Sequence, residues 1–257
     1  MRDSRPDAVV HLAAISFVQD VERAPEPAFT TNVRGTHNLL EATLHHAPDA
    51  TFVAVSSAEV YGKVSPADLP LRERQPLAPA NLYAVTKVAV EALCHACASS
   101  LRIVILRPFN HIGPGQSPSF VVSSFARQIA QIEAGRAEPV LRVGNLDARR
   151  DFTDVRDVAD AYRLAIEYCQ PNTPYNVCSG EAVSIQHVLD TLLSMTTARI
   201  RVEPDPARLR PSDLPILLGC PDKFLQATRW QQRLKLVQSL ADVLGYWRGQ
   251  EGLRPEA

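Results

Sequence analysis

Residues 81–109, NLYAVTKVAVEALCHACASSLRIVILRPF, decide the architecture. Positions 81–100 read as a helix, and 102–109 (RIVILRPF) form a continuous apolar run with the length of a strand buried on both faces. The pattern repeats upstream. Residues 51–57 (TFVAVSS) and 8–14 (AVVHLAA) are two more such runs, and Phe29, Val33, Thr36 and Leu40 recur at helical spacing across 25–47, behind prolines suited to a helix start. Strand, helix, strand, helix, strand implies right-handed βαβ units and a parallel sheet, hence an α/β protein.

Beyond Phe109 the texture changes. Residues 111–119 (HIGPGQSPS) are irregular, and a helix follows with Val121, Phe125, Ile129 and Ile132 in line. Another helix, 154–169, places Val155, Val158, Tyr162 and Ala165 on one face. A short strand at 175–177, a helix capped by Ser184, a strand at 199–204 and a last helix ending near Trp247 complete the chain. The proline-rich stretch 66–79 is too long for a mere connector and reads as functional.

Composition narrows the class. The 257 residues are 46% apolar, enough for a sizeable core, and 27 Lys+Arg against 28 Asp+Glu leave a net charge of -1. That balance argues against nucleic-acid and acidic-membrane partners, and the absence of a long apolar run argues against a membrane span. Five cysteines, an odd number, read as reduced thiols of a cytoplasmic protein. Cys94 and Cys97 form a CxxC without a second pair, which suits two thiols on a helix face better than a metal, so no metal site is expected.

Chemistry concentrates at three strand ends. Tyr83 and Lys87, four apart on a helix, share one face, and the cation is expected to draw the phenol toward neutral pH, as a general acid/base on a carbonyl/alcohol pair requires. Taken alone, that spacing equally suits a surface pair. Ser56-Ser57 and Asn110, however, close neighbouring strands at the carboxyl end, where ligands sit in open α/β sheets.

Six stretches, HLAAISFV, TNVRGTHNLLEA, VSSAEVYG, YAVTK, RPFNHIGPGQ and GNLDARRDFTDVRDVADAY, resemble in order and spacing the extended short-chain dehydrogenase/reductases of the NAD-dependent epimerase/dehydratase family. The likeness runs from about residue 6 to 248 and is nearest to GDP-4-keto-6-deoxy-mannose reductases, with GDP-mannose 4,6-dehydratases second. It implies Ser57, Tyr83 and Lys87 as catalytic residues. Ala13, Ala14 and Pro108, with Tyr83 and Lys87, would line NADP or NAD, while Ser16, Asn110, Arg150 and Arg210 would contact a GDP-sugar substrate. Glu59 matches the glutamate that the dehydratases use as a base. The resemblance thus implies NAD(P)H-dependent reduction of a GDP-linked 4-keto-6-deoxy sugar. Dehydration of GDP-mannose and a non-catalytic nucleotide-sugar-binding protein are the alternatives. A homodimer through helices that include the Tyr-x₃-Lys helix is implied as well.

One family element has no counterpart in these residues. The GxxGxxG turn that cradles the cofactor pyrophosphate is missing, and the first of only 11 glycines is Gly35. AVVHLAA matches the family's fourth strand. The expected fold is therefore an incomplete Rossmann-type parallel sheet, its N-terminal strands missing, with a smaller C-terminal substrate-binding domain. The cofactor domain is placed at 1–110 and 151–180, and the nucleotide-sugar domain at 111–150 and 181–257. On this reading 8–14 becomes an apolar edge, and the polypeptide alone binds NADPH poorly or not at all.

Overall fold

A computed structural model describes residues 1–209 and 214–253. The chain divides into two units: Met1–Phe109, Val158–Gly180 and Leu218–Gln231 form the first, and Asn110–Asp157, Glu181–Leu217 and Gln232–Ala257 the second.

Four parallel strands organise the first unit, in the order Ala8–His11, Thr51–Val55, Arg102–Pro108, Pro174–Val177. Their register aligns Val10 with Val53, Phe52 with Ile103 and Leu106 with Tyr175. Successive side chains alternate between faces. Phe52, Ala54, Ile103 and Ile105 pack with Leu40, Val90 and Cys94, while Val53, Val104 and Leu106 pack with Val158, Tyr162, Phe224 and Trp230. Helices thus cover both faces, the arrangement that lets strands be apolar throughout.

Three expectations need correction. The run 8–14 is a strand only over Ala8–His11 and is not buried on both faces: Leu12 is 62% exposed. Its strand ends the sheet order and pairs on one side only among the described residues. The helix read across 25–47 is interrupted, Pro25–Phe29 and Gly35–His46 being joined by a π-helical turn at Thr30–Arg34. Val155, placed with the buried face of its helix, is exposed, whereas Val158, Tyr162 and Ala165 are buried. Cys94 is buried and both helix thiols are free.

In the second unit Ile216–Leu217, Arg149–Asp154 and Asn110–Ile112 run parallel, with Ala182–Ser184 antiparallel to Arg149–Asp154. Val140–Val143 pairs separately with Arg201–Pro204. Helices Val121–Glu133, Ile185–Ser194 and Leu236–Gln250 close a core around Phe125, Ile129, Leu189, Leu192 and Val243. Ser184 caps its helix as its sequence position predicts, its Oγ accepting from His187 N at 3.1 Å. The stretch 111–119 is not wholly irregular, since it starts inside a strand. No helix among the described residues is long and apolar enough to cross a membrane.

Candidate active site

The site begins where the strand Thr51–Val55 ends. Ser57 remains extended (φ -163°, ψ 151°) and caps the short 3₁₀ turn Ala58–Tyr61, its Oγ accepting from Glu59 N at 3.2 Å. That turn lifts Glu59 toward the helix Leu82–Ala96. There Asn81 acts twice: its Oδ1 accepts from Ala84 N at 2.8 Å to cap the helix, and its Nδ2 donates to Glu59 Oε2 at 3.0 Å. Ser57, Glu59 and the start of the Tyr83 helix are thereby held as one assembly.

Tyr83 and Lys87 lie on the buried side of that helix, 8% and 6% exposed. The Lys87 ammonium stands 5.9 Å from the Tyr83 ring centroid and donates to the Val55 carbonyl at 2.7 Å. Burial pushes it down to about 8, because desolvation disfavours its charge. The phenol departs from expectation. Burial drives Tyr83 up to about 12; a hydrogen bond with the Ser57 side chain works against this, and the Glu59 charge adds to it. Lys87, whose ammonium sits over the ring and donates to a backbone carbonyl, does not bring it below its ordinary value. Tyr83 therefore holds its proton.

The segment carrying Ala13, Ala14 and Ser16 is tied to the same helix through a residue that sequence reasoning missed. Asn32, from the π-helical turn, accepts from Ile15 N at 2.8 Å and donates to Ile15 O at 3.0 Å and to Thr86 Oγ1 at 3.0 Å. Thr86 in turn donates to Tyr83 O at 2.7 Å. Ala13 and Ser16 are exposed beside these anchors and Ala14 is half-buried. Pro108 ends the neighbouring strand, buried and in register with Val177. A second omission is a buried polar network around Glu91 and Arg107. Its signal was available, in an arginine inside the apolar run RIVILRPF and a glutamate eight residues after Tyr83.

The second unit carries the remaining candidates. Asn110 opens a strand, and its Oδ1 is buried without a hydrogen-bond partner among the described residues. Arg150 donates through Nη1 to Leu214 O at 2.7 Å and Arg149 O at 2.9 Å. Arg210 lies outside the described residues.

Donor chemistry on the first unit suits a dinucleotide. Lys87 makes one hydrogen bond among the described residues, so two ammonium protons remain to donate to ligand hydroxyls, and exposed Ala13 with half-buried Ala14 offers apolar surface.

The chain is similar to known proteins along nearly its whole length. The family model described as GDP-mannose 4,6 dehydratase matches residues 1–243. A GDP-6-deoxy-D-mannose reductase of Pseudomonas aeruginosa is 38% identical over 244 residues, covering 94% of this chain and 80% of its own. The structure of RMD from Pseudomonas aeruginosa complexed with NADPH superposes with a TM-score of 0.91 at 37% identity, over 96% of this chain and 83% of that one. A UDP-glucose 4-epimerase of Thermus thermophilus, in complex with NAD, superposes with a TM-score of 0.85 at 29% identity, over 96% of this chain and 79% of that one.

Proposed function

The chain belongs to the GDP-mannose 4,6 dehydratase family, and from that premise we propose that it reduces a GDP-linked 4-keto-6-deoxy sugar with NAD(P)H. One observation carries this reading: on a buried helix face the Tyr83 phenol is hydrogen-bonded to the Ser57 side chain, and with burial pushing it up to about 12 it holds at neutral pH the proton that a ketone oxygen takes up on reduction. The nicotinamide, when bound, supplies the hydride to C4. Tyr83 gives its proton to the C4 oxygen. Ser57, hydrogen-bonded to that phenol, donates to the same oxygen and polarises the carbonyl. Lys87, fixed by Val55 O, holds the nicotinamide ribose and offsets charge that develops at the phenol. Ala13, Ala14 and Pro108 are assigned to the cofactor. Ser16, Asn110, Arg150 and Arg210 are assigned to the sugar and its diphosphate, the arginines because a planar guanidinium binds phosphate oxygens bidentately. The 38% identity to a reductase supports this reading.

Glu59 favours a second reading. Its carboxylate, placed by Asn81, acts electrostatically on Tyr83, a position suited to abstracting a proton during dehydration of GDP-mannose. The two readings separate by assay. Turnover of GDP-4-keto-6-deoxy-mannose with NADPH supports the reductase, and turnover of GDP-mannose without added reductant supports the dehydratase. A folded chain that binds GDP but turns over neither is a nucleotide-sugar-binding protein instead. We assign the protein to the cytoplasm and to a homodimer, for which Leu82 and Val85, exposed on the Tyr83 helix, supply apolar contact area. Light scattering at the monomer mass would exclude the dimer.

A further inference from the structure

Tyr83, Lys87 and Glu91 follow one another at steps of four on the same helix, so all three side chains project from one face. The first two belong to the site. Glu91 lies beneath it, 2% exposed, and its carboxylate is held by polar partners. Its Oε1 accepts from Ser56 Oγ at 2.5 Å and from Arg107 Nε at 2.9 Å, and its Oε2 accepts from Arg107 Nη2 at 2.7 Å. Arg107 is 4% exposed and spends its remaining nitrogen on the Tyr61 hydroxyl (3.0 Å) and Glu73 O (3.1 Å). Tyr61 donates onward to Asn176 Oδ1 at 2.7 Å, and Asn176 holds Leu71 O and the Glu73 carboxylate.

The partners of Glu91 stand one residue from the proposed site. Ser56 precedes Ser57 in extended backbone, where neighbouring side chains point to opposite sides, so Ser56 turns down to Glu91 while Ser57 meets Tyr83. Arg107 precedes Pro108 at the end of the adjacent strand. A buried ion pair of this kind gives little net stability compared with apolar packing, yet it selects one geometry sharply. Two-pronged bonding resists both rotation of the helix about its axis and sliding along it.

We propose that Glu91 is a positioning residue: held by Arg107 and Ser56, it sets the height and rotation of the helix bearing Tyr83 and Lys87 against the strand ends bearing Ser57 and Pro108. The inference rests on the assignment of Tyr83 as proton donor. Misplacement of reacting groups by about 1 Å costs up to ~100-fold in rate, so Glu91→Gln, which keeps length and loses charge, is expected to lower kcat by roughly 10- to 100-fold. KM for the GDP-sugar should stay within about twofold, because the nucleotide contacts assigned above do not involve Glu91.

The test pairs turnover with ¹³C-tyrosine NMR of the full chain, the Tyr83 Cζ resonance being identified by its loss in Tyr83→Phe. A displaced Tyr83 resonance together with a fall confined to kcat supports positioning. A Glu91→Gln protein that loses thermal stability but keeps both kcat and the wild-type Tyr83 resonance overturns it. If wild type turns over no GDP-sugar while the resonance still shifts in the variant, the functional reading fails and the positioning role stands. Should Glu91→Gln not fold, Ser56→Ala, which removes one donor and leaves the ion pair, is expected to shift the same resonance, and an unmoved resonance there refutes the proposal.

Discussion

Replacing Lys87 by methionine is expected to make the folded chain more stable at neutral pH while removing its activity. The ammonium is 6% exposed, and burial lowers it to about 8 from an ordinary 10.5. Each pH unit between those two values is worth about 1.4 kcal/mol, so at pH 7 the folded state carries a penalty of about 3 kcal/mol for the charge. Methionine removes that penalty but leaves the Val55 carbonyl without its 2.7 Å donor, a loss of about 1–3 kcal/mol. A net gain on the order of 1 kcal/mol remains. The pH dependence is the sharper quantity. Between about pH 8 and 10.5 the folded chain gives up this proton before the unfolded chain does, so the unfolded state binds more protons and wild-type stability climbs with pH. Integrated from about pH 7 to 9.5, the climb attributable to Lys87 is about 2 kcal/mol. Urea unfolding of both proteins, followed by the fluorescence of buried Trp230, measures it, because other groups titrate alike in the two and cancel. The stability of the variant relative to wild type should fall by that amount as pH rises. A difference that is constant across this range would refute the claim that Lys87 is charged and desolvated in the folded chain.

Three further outcomes are expected. Tyr83→Phe should reduce turnover by at least ~100-fold and leave GDP binding nearly intact by calorimetry, since the phenol acts on the sugar; loss of GDP affinity would make Tyr83 structural. Gly62→Ala should destabilise the chain by about 3 kcal/mol or more, because Gly62 holds φ +63° and an added Cβ would lie 1.7 Å from Ala78 O. A wild-type denaturation midpoint for that variant would show that the turn after Tyr61 can relax. Arg150→Ala should weaken GDP binding at least about tenfold, the loss of a charge-assisted contact; unchanged affinity in a folded variant would remove Arg150 from the nucleotide site.

Much of the first unit was legible because its strands are continuous apolar runs and its helices carry periodic ones. Residues 51–57 and 102–109 could be placed, with Ser57 and Pro108 at strand ends, from hydrophobicity alone. Of the short strands of the second unit, the one read at 199–204 is found at Arg201–Pro204, but others were not legible. Ile216–Leu217 and Ala182–Ser184 exist through pairing with Arg149–Asp154, tens of residues away, and two or three residues carry no periodicity of their own. Similarly, the π-helical turn at Thr30–Arg34 lies within a stretch whose apolar spacing suits an α-helix, and its use emerges only when Asn32 meets Ile15 and Thr86.

The candidate site divides along the same line. Spacing by itself determined that Tyr83, Lys87 and Glu91 share a helix face, because the α-helix turns once in about 3.6 residues whatever surrounds it. The protonation of that face was decided by tertiary structure. Local proximity of a cation suggested a lowered phenol, whereas burial of the whole helix face raised Tyr83 and lowered Lys87, because desolvation depends on everything packed around a group rather than on its neighbours in sequence. Likewise Arg107 stands in sequence among the apolar residues of its strand, and only folding brings Glu91, Tyr61 and Glu73 to it from three separate segments.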